Sequence, residues 1–152
     1  MSSNSGSGTA KWISIVVMVV GAVMVVAGAV TYGLVSSTLA DERITVSEDA
    51  CLGGQAVGGP FTAYCEAQII ETHTLEATGG KTYAELDRED PLRQVAMNGS
   101  FLRASLFTSV VAFGVSALVV GLGVLFILLG VALRSLMSAL GVHKDPAEAA
   151  TV

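Results

Sequence analysis

Two stretches of this chain, Trp12 to Ala40 and Ala104 to Leu133, contain no ionisable carboxylate, ammonium, guanidinium or imidazole group. Each exceeds the roughly 20 apolar residues that cross a hydrocarbon core about 30 Å thick as an α-helix. In water such helices would need covering on every side, and the polar segment between them is too small to build that cover. Composition agrees: 52% of the 152 residues are hydrophobic, 14% are charged, and the mean hydropathy is +0.67. The chain therefore reads as an all-α integral membrane protein, a two-span transmembrane helical hairpin with a small, mainly helical extracytoplasmic loop domain.

Shifts in composition divide the chain into five segments. Residues 1–10 are Ser/Gly-rich and lack apolar surface to offset the entropy of ordering, so they read as a disordered cytoplasmic tail. Transmembrane helix 1 occupies 11–40, and an acidic loop domain 41–90. A pre-membrane helix over 91–135 continues into transmembrane helix 2, and 136–152 form a cytoplasmic C-terminal tail. A cleaved signal peptide fits the first window poorly, because the apolar run before Thr38-Leu39-Ala40 is longer than the 7 to 15 residues of a signal core. Lys11 and Trp12 at one end of span one and Tyr32 near the other have the placing of interface anchors, as have Arg103 and Arg134 around span two.

The basic residues are divided between tails and loop without deciding orientation, and long loops escape the positive-inside rule. The cysteines decide it. Cys51 and Cys65 are the only two, and both fall in the loop, which fits a disulfide in an oxidising compartment. Such a bridge would stabilise the loop by about 3 kcal/mol. Two unrelated thiols are the alternative; a metal pair is disfavoured, since only His73 stands nearby and a closed zinc site takes four ligands. The expectation is a multi-pass protein of the plasma membrane with its loop outside and both termini in the cytoplasm.

Small residues recur along both spans. Gly21 and Gly28, each followed by an alanine, lie a heptad apart; Gly114, Ala117 and Gly121 form a second stripe; Gly123 and Gly130 a third. Such faces let helices approach closely, either span on span or against larger membrane subunits. The uncharged windows leave out the groups of proton relays, ion paths and haem ligation, so Met18 and Met24 read as apolar filling.

In the loop, Phe61, Cys65, Ile69 and Leu75 recur at helical spacing, and Gly79-Gly80 supplies a stop. Thr82 to Glu85 matches a capping box and predicts a short helix. Asp90-Pro91 predicts the start of a further helix, which Asn98-Gly99 could interrupt. Leu92, Val95, Phe101 and Leu102 are expected to offer an apolar side to the loop helices. Between Asp41 and Arg103 there are eleven acidic and five basic residues, a balance that repels nucleic acid. Glu66 and His73, seven apart, are the one candidate acid/base or metal pair, and an ordinary surface histidine is the better reading. No Walker loop, G-x-S-x-G, H-E-x-x-H or C-x-x-C occurs, and Gly53-Gly54 and Gly58-Gly59 are not read as phosphate cradles, because no basic residue or helix start follows at the needed spacing.

The segments Gly59-Pro60-Phe61-Thr62-Ala63-Tyr64, Ala77-Thr78-Gly79-Gly80-Lys81-Thr82-Tyr83-Ala84-Glu85-Leu86 and Ser100-Phe101-Leu102-Arg103-Ala104-Ser105-Leu106 resemble a family of small two-span actinobacterial membrane proteins. Members are sometimes labelled aromatic ring-opening dioxygenases, which this sequence contradicts by lacking the histidine and carboxylate set of a non-haem iron site. The resemblance implies an accessory subunit beside the haem-copper cytochrome c oxidase in the respiratory cytochrome bcc-oxidase supercomplex.

The expected function is thus a non-catalytic accessory membrane subunit supporting assembly or stability, with no cofactor, whose partners are the bilayer and larger integral subunits. The rivals are a stand-alone envelope protein with a ligand- or partner-binding loop, a self-associating hairpin and, last, an enzyme.

Overall fold

The computed structural model describes the backbone of residues 5–142 and the side chains of 11–139. Three helices succeed one another: α1 (Ser5–Asp41), α2 (Pro60–Ala77) and α3 (Leu92–Val142). No strand occurs among the described residues, only an isolated antiparallel bridge between Thr45 and Ala56. Helices α1 and α3 are both long and apolar enough to cross a membrane. Helix α1 starts at Ser5, so residues 5–10 of the expected tail are helical and 1–4 lie outside the described residues. Likewise α3 runs past 135 to Val142, and the rest of the expected C-terminal tail lies outside the described residues.

Two compact units divide the chain, one from Met1–Ala29 with Leu118–Val152, the other from Val30–Ala117. In the first, α1 and α3 run antiparallel and meet through glycine. A Cβ at Gly21 would come within 2.6 Å of the Gly123 carbonyl oxygen and 2.9 Å of Ile127 Cγ1. Further along, Met18 occupies the space a Cβ on Gly130 would need. The buried positions Ser14, Gly21 and Gly28 on α1 and Gly123 and Gly130 on α3 are spaced by seven, the period of a seam between two slightly supercoiled helices.

In the second unit, Leu39, Val46, Val57, Ala63, Cys65, Ala67, Leu106 and Phe113 form one core. Tyr32 of α1 packs its ring 4.7 Å from that of Phe113 on α3. Helix α2 crosses α3 in the antiparallel sense, through Tyr64 edge-on to Phe107 at 5.9 Å, Glu71 paired with Arg103 at 2.7 Å, and Thr74 against Gly99.

α2 begins and ends close to the sequence expectation. Pro60 sits at its first position, and Thr62 Oγ1 accepts the amides of Gly58 and Gly59 at 3.3 and 3.2 Å. Gly79 and Gly80 take positive φ, and Gly80 N–H donates to Leu75 O at 2.7 Å to close the end. Asp90 caps α3, its Oδ1 accepting Leu92 N–H at 2.8 Å.

Three expectations are corrected. Thr82 and Glu85 do pair, both Thr82 N–H and Oγ donating to Glu85 Oε2 at 2.8 Å, but only a turn forms. Pro91 comes too soon for the costly first helical turn to be repaid by further ones. Asn98-Gly99 does not interrupt α3. Finally, Leu92, Val95, Phe101 and Leu102 are exposed, as is Phe61 on α2. The contact uses Ala96, Gly99 and Leu106 instead, because Thr74 can reach the α3 backbone only where no large side chain intervenes.

Candidate functional site

The segment between α1 and α2 is fastened to one face of α2 at three points. Cys51 is disulfide-bonded to Cys65, with Cα atoms 5.5 Å apart. One position on, Glu66 turns inward: Oε2 accepts Ser47 N–H at 2.8 Å and Oε1 the Ser47 hydroxyl at 3.3 Å. Two turns further, His73 Nε2 meets Asp49 Oδ2 at 2.6 Å. Positions 65, 66 and 73 share a helix face, so the segment lies along α2. Backbone bonds shape it from within: Val46 N–H donates to Gln55 O and Val57 N–H to Ile44 O, both at 2.8 Å. That arrangement buries Val46 and Val57 almost completely. From α1, Ser36 Oγ donates to Gly58 O at 2.6 Å.

These contacts separate the candidate acid/base pair. Glu66, 7% exposed, has both oxygens committed to Ser47, while His73 is partnered by Asp49. The Asp49 carboxylate raises the His73 pKa above its ordinary value through their hydrogen bond, and the same bond lowers Asp49. Backbone and hydroxyl donation from Thr82 lowers Glu85 in the same way. Among the described residues, no three His, Cys, Asp or Glu side chains gather where they could hold a metal ion. The arrangement braces the segment against α2, with Glu66 buried and the Asp49–His73 pair at the surface.

The small residues divide into two sets. Gly21, Gly28, Gly123 and Gly130 are buried. Gly114, Ala117 and Gly121 are exposed on α3, and a Cβ at either glycine would meet open space. Sequence spacing alone could not tell the sets apart, since both recur at helical intervals. Of the expected anchors, Trp12 is 69% exposed and Tyr32 packs on Phe113 with the rings tilted by 59°. Arg103 is drawn to Glu71 and lies over the Phe107 ring at 5.3 Å, its Nε buried without a partner. Lys11 and Arg134 line a common cleft.

Sequence reasoning missed the Ser47–Glu66, Asp49–His73 and Glu71–Arg103 contacts. They join residues 19, 24 and 32 apart, and local periodicity carries no record of such pairings. No protein-family model, curated protein or solved structure matches this chain.

Proposed function

We propose that this chain is a two-span protein of the plasma membrane, acting as a non-catalytic accessory subunit that supports assembly or stability of a larger membrane complex. The observation that carries the reading is exposure. In the most apolar window of α1 and of α3 only 17% of residues are buried, whereas a core helix of a water-soluble protein is mostly covered. Hydrocarbon or another apolar helix is the surrounding such surfaces need. The open face at Gly114, Ala117 and Gly121 remains free after α1 and α3 have packed, and small residues admit a partner helix at close range.

The bridged segment belongs outside and the termini inside, because a disulfide persists in an oxidising compartment. Its role is then to contact an external domain or a mobile carrier. The partner we propose, on the family resemblance of the loop and span segments, is a haem-copper cytochrome c oxidase within a respiratory supercomplex. Extraction in mild detergent through a C-terminal tag tests this. Co-migration with a haem-absorbing assembly on native gels is the expected result, and recovery solely as a small haem-free species would refute it.

A second copy of the chain is the alternative occupant of the open face. Replacement of Gly121 by Leu separates the two: loss of homo-oligomers without any heterologous partner would favour self-association.

A further inference from the structure

Lys11, Ser14, Ile15, Arg134, Met137 and Ser138 line a cleft of about 390 Å³ within the unit that holds the first part of α1 and the last part of α3. Its charge is one-sided. Between Ser5 and Ala29, and between Leu118 and Val142, there is no Asp or Glu, and Lys11 and Arg134 are the only charged side chains. Neither has an ion-pair partner among the described residues. The serines are already committed, Ser14 Oγ donating to Lys11 O at 2.8 Å and Ser138 Oγ to Arg134 O at 3.1 Å. The donors left to a ligand are therefore an ammonium and a guanidinium, set beside the apolar Ile15 and Met137.

Two cations lining one cleft between apolar helices repel each other, and the repulsion grows as the surroundings become less polar. A ligand that relieves it must bring negative charge, and one that also suits the walls must bring hydrocarbon. We propose that this cleft seats the phosphodiester headgroup of an anionic phospholipid, with Lys11 and Arg134 sharing the phosphate and Ile15 and Met137 bordering the acyl chains. The proposal rests on the membrane reading of the two apolar helices, although not on which complex the chain joins.

The test uses the full chain in bilayer discs containing equal phosphatidylglycerol and phosphatidylcholine, with retained lipid counted by native mass spectrometry. Phosphatidylglycerol is expected to be held in preference. K11Q and R134Q should each lower that preference about fivefold, as expected for one interfacial cation, and the double variant should abolish it. K11R and R134K should keep it. An intact Cys51–Cys65 bridge and unchanged helical circular dichroism establish that each variant is folded. Equal retention of the two lipids by the unaltered chain, or an undiminished preference in the folded double variant, would overturn the proposal. So would displacement of the lipid by sn-glycerol 3-phosphate, which would assign the cleft to a free phosphate ester. Failure of the chain to float with vesicles of either lipid would instead remove the membrane reading itself.

Discussion

Gly21 and Gly123 stand directly opposite one another where α1 meets α3, and a Cβ added to either would fall 2.6 Å from the other's carbonyl oxygen. The two backbones are in contact with no side chain between them. Under the proposed membrane reading, where burying apolar surface gives no advantage, close packing of this kind is what would hold the two helices together.

Gly21→Val and Gly123→Val should therefore each destabilise the chain, by about 1–3 kcal/mol, the cost of overpacking a filled contact. Gly114→Val and Gly121→Val should leave intrinsic stability nearly unchanged, since nothing lies within 4 Å of a Cβ there. If the proposed function holds, their effect should appear in recovery of the larger complex. Thermal unfolding in detergent beside native gels distinguishes the sets; equal losses of stability in all four variants would show that the division is wrong.

Removing the disulfide with C51S/C65S should cost about 3 kcal/mol of stability in the segment it closes. Hydrogen exchange should then rise over residues 44–57 while the α1–α3 contact around Gly21 stays protected. In intact cells the bridge should block maleimide until an external reductant is added. Labelling of free Cys51 or Cys65 from the cytosolic side would reverse the proposed orientation.

The Asp49–His73 contact gives a pH window with a definite sign. His73 has a raised pKa, so its contribution is complete below its ordinary value of 6.5 and lost as pH rises through the raised one. Asp49 has a lowered pKa, so its contribution is present above 3.8 and lost as pH falls through the lowered one. The fastening is strongest between those limits. Both side chains are about half exposed, so the effect on overall stability is small and is best read by NMR titration of His73. Asp49→Asn should return His73 toward 6.5.

Glu66→Ala should be costlier than its position in an acidic segment suggests. It leaves the Ser47 amide without its acceptor beneath a buried side chain, a loss of about 1–3 kcal/mol. Glu66→Gln keeps an acceptor and should recover part of it. If Glu66→Ala unfolds no earlier than the parent in denaturant, the carboxylate is not a brace.

Arg43, two residues past the end of α1, has φ +55, a left-handed conformation that residues with a Cβ adopt at a cost. Arg43→Gly should raise stability by about 1 kcal/mol, read as a higher melting temperature. A lower melting temperature would show that the left-handed position is not a strain on the fold.

The two apolar helices, the limits of α2, the Asp90 cap and the glycine stop at 79–80 were legible in the sequence because each rests on local chemistry: length without charge, helical period, a cap, a residue that tolerates positive φ. The cysteine pairing was legible because only one partner existed. Which glycines pack and which stay open was not, since Gly121 and Gly123 are two residues apart and differ only in the direction each faces. The partners of Glu66, His73 and Arg103 were likewise decided in three dimensions, where separation along the chain sets no limit on who meets whom. The same holds for the meeting of Lys11 and Arg134, which sequence places at opposite ends of the chain and which packing of α1 against α3 brings to one cleft.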